Sequence, residues 1–147
     1  IRKALYSDNH PDIANSLHNI GFVHRFLGKY QEALKYTNQA FEIYQSIYSG
    51  MHPFIALALN SMGLTYANLG KYQEALKCHE QALEIRKALY SDNHPHTAIS
   101  LHNIGSLYQK LGNYEKALKY YGQALKLFQI VYQGNHFRIA ISLNKIG

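Results

Sequence analysis

The chain has 147 residues, 47% of them hydrophobic, one cysteine and a formal net charge of +6. That balance excludes a disordered chain and an internal disulfide, and no apolar run reaches the roughly 18 residues of a membrane span. Ile1–Tyr6 lacks the apolar core and cleavage site of a secretory signal, so a soluble, cytoplasmic protein with no membrane partner is expected.

The eleven residues IRKALYSDNHP open the chain and recur at 85–95. His-Pro stands at His10-Pro11, His52-Pro53 and His94-Pro95, at a constant spacing of 42. One spacing further on, His136 is followed by Phe137 instead of proline. The same register aligns Gly28-Lys29-Tyr30, Gly70-Lys71-Tyr72 and Gly112-Asn113-Tyr114, and also Gly21, Gly63, Gly105 and Gly147. A fixed period in this range is the signature of a repeat architecture.

In chain order, residues 1–6 match the end of a second helix and close a preceding repeat. Pro11 opens a first helix, because proline is favoured at the first helical position, where its missing N–H is not needed. Leu17, Ile20, His24 and Leu27 share one face at three- and four-residue spacing. Gly28 stops that helix, since glycine readily takes the left-handed conformation that ends helices. A second helix starts near Tyr30, with Ala33, Leu34, Thr37, Ala40, Phe41, Tyr44 and Ile47 as its apolar face, and ends in the polar stretch Ser49–His52. The pattern then repeats. Hairpins are expected at about 11–48, 53–90 and 95–132, and a fourth begins at 137–147. The whole chain is therefore one array. Ile139, Leu143 and Ile146 have no second helix of their own to cover them, which predicts fraying or end-to-end self-association.

Gly21 on the first helix, with Ala33 and Ala40 on the second, lets two backbones approach closely while Tyr30, Phe41 and Tyr44 fill the wider gaps. A lone hairpin cannot bury its second face, so stacking on neighbours supplies the core.

The run LHNIGFVHRFLGKYQEALKYTNQAFEIY at 17–44 resembles a tetratricopeptide repeat, through Leu17, Ile20-Gly21, Tyr30, Ala33 and Ala40. The second and third copies carry the pattern as well, with Tyr66 and Tyr108 where the first has His24. The usual repeat is 34 residues. The period of 42, with a longer second helix, is similar to the repeats of kinesin light chain. The resemblance implies an all-α fold, a right-handed superhelical solenoid of antiparallel helix-turn-helix repeats, acting as a protein-binding scaffold. An armadillo array has a comparable period but needs three helices per unit, and only two are legible here.

Chemistry is poorly served. The junction histidines His10, His52, His94 and His136 lie one repeat apart, at roughly the 10 Å of helix packing, whereas zinc ligands converge on one ion. They are expected to serve the turn before each proline, and His24 to pack in the core. Cys78 has His79 as its neighbour, but adjacent helical residues point about 100° apart, so no nucleophile–base pair forms. The glycines are single and periodic, which is not a phosphate loop. Glu80 and Glu84 sit one turn apart on what reads as a solvated face. No catalytic residue, cofactor or metal site is expected, and the chain reads as a non-enzyme.

Charge placement says more. The stretches 13–28, 55–70, 97–112 and 139–147 contain no Asp or Glu. In the proteins this chain resembles, first helices line the inside of the superhelix, and the resemblance implies a groove built from their exposed face. In the first copy that face is Asn15, His18, Asn19, Phe22, Arg25 and Phe26. The second presents Asn60, Ser61, Leu64 and Asn68 beside Leu57, and the third His102, Asn103, Ser106 and Lys110 beside Ile99 and Gln109. The partial fourth gives Ile141, Asn144 and Lys145.

Asparagine offers both donor and acceptor to an extended backbone. Phe22, Phe26, Leu57 and Leu64 suit an apolar or aromatic side chain, and Arg25, Lys110 and Lys145 favour acidic ones. The expected partner is an extended, acidic protein segment. A structural spacer or self-associating array is the alternative. Nucleic acid is not expected, because Lys35, Lys77 and Lys119 on the second helices are interleaved with Glu32, Glu42, Glu74 and Glu84 as on a solvated surface.

Overall fold

The computed structural model describes residues 10–90 and 93–146, with side chains through 133. Six helices and no strand occur among the described residues: α1 (Pro11–Phe26), α2 (Tyr30–Ile47), α3 (Pro53–Asn68), α4 (Tyr72–Leu89), α5 (Pro95–Lys110) and α6 (Tyr114–Ile146). They fall into two compact units, Ile1–Leu89 with α1 to α4 and Tyr90–Gly147 with α5 and α6.

Each first helix starts on its His-Pro. His10 Nδ1 accepts from the Asp12 N–H at 3.0 Å, His52 Nδ1 from Phe54 at 3.1 Å and His94 Nδ1 from His96 at 3.1 Å. The histidine is thus the N-cap, satisfying one of the N–H groups that the first turn leaves without a partner. Accepting at Nδ1 requires a neutral ring with its proton on Nε2. The cap rings are held from the preceding segment: Tyr48 stacks on His52 with centroids 3.6 Å apart, and Tyr90 on His94 at 3.9 Å. The sequence expectation that these histidines serve the turn acquires a mechanism here.

The first helices end alike too. Gly28, Gly70 and Gly112 have φ of 77°, 77° and 83°. The following N–H reaches back to a carbonyl five residues earlier, Lys29 to His24, Lys71 to Tyr66 and Asn113 to Tyr108, at 2.8–2.9 Å. This is the Schellman geometry. It closes the last turn and launches the second helix within two residues.

Inside the first unit, α1 pairs with α2, α3 with α4, and α2 packs on α3. The core gathers Ala14, Ala40, Tyr44, Ile55, Ala58, Leu59, Met62, Cys78, Ala82 and Ile85. Burying a side chain the size of Ile55 contributes about 1.5–3 kcal/mol. Alanines at 33, 40, 75 and 82 are fully buried, as the close approach of two backbones requires. The opposing glycines explain the rest. A Cβ at Gly21 would meet Thr37 Oγ1 at 2.5 Å, and one at Gly63 would meet the His79 ring at 2.6 Å. In the second unit the register mate Gly105 faces Tyr121 at 2.9 Å. Thr37, His79 and Tyr121 stand one period apart, so one position of the repeat carries three different side chains against a glycine.

The second unit departs from the sequence expectation at its far end. A break was expected at 133–136, before a fourth first helix at 137, yet the backbone is helical without interruption from Tyr114 to Ile146. Proline disfavours the helical conformation in the residue before it and removes an N–H. Phe137 does neither, so nothing at this junction forces the chain out of the helix. The fraying expected of Ile139, Leu143 and Ile146, and the groove positions Ile141, Asn144 and Lys145, concern side chains outside the described residues, as do residues 1–6 and His136.

Candidate functional site

The surface singled out by the sequence lies on the first helices, and in the first unit α1 and α3 meet along it. His18 Nε2 and Ser61 Oγ are hydrogen-bonded at 2.9 Å, joining the middle of α1 to the middle of α3. Burial holds the His18 imidazole below its ordinary pKa, favouring the neutral ring that such a bond tolerates. Thr65 donates to the Ser61 carbonyl at 2.9 Å. Ser61 is thereby fixed from its own helix and from the neighbouring one.

Beyond that link the face opens. Asn19 and Asn68 are exposed, and Leu64 is half-buried. Phe22 and Phe26 are 46% and 73% exposed, unusual for rings on a helix that also builds a core. They pack edge-to-face at 4.8 Å, and the Arg25 guanidinium sits 5.8 Å from each centroid. Phe22 stands four residues before Phe26 and three before Arg25, the two spacings that make neighbours on a helix surface. Arg25 has no ion-pair partner among the described residues. The cluster presents two apolar rings and one positive charge. The only acid on the first helices among the described residues is Asp12, in the first turn of α1.

Other candidates are committed to the fold. The Tyr44 hydroxyl donates to Asn15 Oδ1, so that amide oxygen serves the contact between α1 and α2. Asn60 is half-buried and already engaged, as is Asn103 on α5. In the second unit His102 is exposed, with its ring 5.1 Å from that of Tyr121, and Ser106 is half-buried. Gln109 accepts from the Tyr121 hydroxyl at 2.7 Å. Lys110 is exposed and holds an interaction of its own.

The chemistry-bearing residues behave as packing. Cys78 is 7% exposed, and burial, with Glu74 adding, pushes its thiol up to about 11, far from a thiolate nucleophile at neutral pH. His24 stacks on Tyr36 at 5.4 Å with its Nδ1 buried and without a partner. Among the described residues no three His, Cys, Asp or Glu side chains converge as a metal would need. Sequence reasoning missed His79, 1% exposed with Nδ1 unpartnered, whose pKa burial and Arg86 lower to about 4. Its register with Thr37 and its place opposite Gly63 were the available signal.

The tetratricopeptide-repeat family profile matches residues 1–46, 54–130 and 97–147. The chain belongs to the tetratricopeptide-repeat family. No curated protein matches it. Among solved structures it is similar to BtubC (BKLC) from P. vanneervenii, at 22% identity and a TM-score of 0.79, over 85% of this chain and 50% of that one. It is also similar to a Podosopora anserina putative kinesin light chain with nearly identical TPR-like repeats, at 25% identity and a TM-score of 0.74, over 82% and 57%. The tetratricopeptide-repeat domain of Arabidopsis FLU aligns at 24% identity and a TM-score of 0.73, over 81% and 97%. This tetratricopeptide-repeat chain spans about half the length of the first two structures. Its repeats are of the kinesin-light-chain kind and its fold is an all-α helical-repeat solenoid. Tetratricopeptide repeats generally mediate protein–protein interaction and act as non-enzymatic scaffolds. Among the described residues, no helix is long and apolar enough to cross a membrane.

Proposed function

We propose that this chain is a cytoplasmic, non-enzymatic scaffold that binds an extended, acidic segment of a partner protein along its first-helix faces. The observation that carries the reading is the Phe22–Arg25–Phe26 cluster, two exposed rings beside a half-buried arginine, on a face whose single acid, Asp12, sits at the far end of α1. Binding surfaces favour aromatic and arginine anchors, and an arginine without an ion-pair partner amid apolar rings matches an acidic residue flanking an apolar one. Asn19, Asn68, Ser61 and Leu64 would hold the peptide backbone and a neighbouring side chain. In the second unit, taken by itself, His102, Asn103, Ser106 and Lys110 give α5 a face of similar chemistry. Nucleic acid is not part of this reading, because the lysines of the second helices alternate with glutamates.

The test is affinity for short acidic peptides carrying one aromatic residue. Arg25→Glu should weaken binding several-fold, while Lys35→Glu on α2 should change it little. Equal effects of the two substitutions would mean only bulk charge is being read.

A second reading, self-association, has its own observation. Ile20 and Val23 are 42% and 54% exposed, whereas their register mates Met62 and Thr65 are 8% and 1% exposed. The second helix of another copy would fit this apolar strip of α1. Sedimentation velocity should then show concentration-dependent assembly that Val23→Glu removes. A monomer at every concentration defeats this reading and leaves peptide binding untouched.

A further inference from the structure

Away from the first-helix faces, the first unit contains a cleft of about 300 Å³. Three helices each give it an i, i+4 pair: Phe41 and Gln45 from α2, Ile55 and Leu59 from α3, Gln81 and Ile85 from α4. The floor is apolar, with Ile55, Leu59 and Ile85 all under a tenth exposed. Met51, 46% exposed beside the left-handed Gly50, forms a lip that can shift. The rim is polar and carries one charge, the carboxylate of Glu84. No cation lines the cleft, and Glu84 has no ion-pair partner among the described residues.

We propose that this cleft is a docking site for an arginine side chain of a partner protein, distinct from the acidic-peptide surface. An arginine has the two halves the cleft asks for, an apolar stem for the isoleucine and leucine floor and a planar cation for the rim. Glu84 supplies the counter-charge, the side-chain carbonyls of Gln45 and Gln81 accept the remaining N–H groups, and Phe41 offers a ring for the guanidinium to lie against.

The repeat varies at the rim of this cleft. One period on, Phe41, Gln45, Met51, Ile55 and Glu84 become Leu83, Lys87, Asn93, Thr97 and Lys126. Of the floor residues only Ile55 becomes polar, Leu59 and Ile85 giving Leu101 and Leu127, whereas the acid is replaced by a base. The charge that the repeat reverses sits on the exposed rim, at Glu84, and not in the buried floor.

The test is an NMR titration of the full chain with N-acetyl-arginine amide, and with its citrulline and norleucine counterparts. The arginine compound should shift the methyl signals of Ile55, Leu59 and Ile85 saturably. It should bind measurably tighter than citrulline, by up to about fivefold, the upper end for a partly exposed ion pair. Glu84→Gln, at an exposed position that leaves the fold intact, should erase that difference. Met51→Ala should weaken arginine and norleucine alike. Equal binding of arginine and citrulline, or an unchanged preference in Glu84→Gln, overturns the proposal. Norleucine binding as tightly as arginine would show an apolar hole with no charge selection, which overturns it as well. Because the readout is confined to α2, α3 and α4 signals, these outcomes are separate from those of the Arg25 experiment.

Discussion

The Gly63–His79 contact can be tested by adding a single methyl group. In Gly63→Ala the new Cβ would lie 2.6, 2.7 and 2.9 Å from three atoms of the His79 ring. The ring is 1% exposed and cannot swing into solvent. Overpacking of this kind costs about 1–3 kcal/mol, while replacing a mid-helix glycine by alanine returns about 1 kcal/mol of helix propensity. The balance is a net loss of up to about 2 kcal/mol. Gly122→Ala is the control, because a Cβ there meets nothing within 4 Å, so only the propensity gain of about 0.5–1 kcal/mol should remain. Urea unfolding followed by circular dichroism measures both. In a His79→Ala background the penalty at 63 should vanish, and the double-mutant cycle isolates the contact. If Gly63→Ala is as stabilising as Gly122→Ala, the close approach of α3 and α4 has been misread.

His79 also sets a pH dependence. Its folded pKa, lowered to about 4 by burial and by Arg86, lies below the ordinary 6.5, so the unfolded chain binds the extra proton. Stability from the neutral ring is therefore complete above about pH 6.5 and is lost as pH falls towards 4, by up to about 3 kcal/mol. His79→Gln should flatten that slope in urea titrations across this range; an unchanged slope would assign the acid sensitivity to another group. His52→Ala removes the cap on α3 and the Tyr48 stack, and should cost about 1 kcal/mol in thermal unfolding, with His52→Asn restoring most of it. A cap role is wrong if alanine and asparagine behave alike.

What could be read in advance was whatever the period imposes. Proline, glycine and alanine recur at fixed offsets because each is demanded by a backbone event: a helix start, a left-handed stop, a close approach. Those three residue types placed α1 to α5 to within a few residues. The end of α6 was misplaced because the expectation rested on the register alone, while the residue that enforces the break, proline, is missing at 137. For the site, the register identified which face of each first helix to inspect but not how its side chains are engaged. Asn15 and Asn19 look alike in sequence, yet Asn15 bonds Tyr44 and Asn19 is exposed. Asn15 is bound by a residue 29 positions away, and no local pattern signals that. The α2–α3–α4 cleft was invisible for the same reason, being assembled from three helices at once.

The most direct measurement for peptide recognition is an NMR footprint of an acidic, aromatic-bearing peptide on the isotope-labelled chain. Saturable shifts are expected centred on Asn19, Phe22, Arg25 and Phe26 of α1 and on Ser61 and Leu64 of α3, with α2 and α4 little changed. Shifts concentrated on α2 and α4, or no saturable shift with any such peptide, would contradict it.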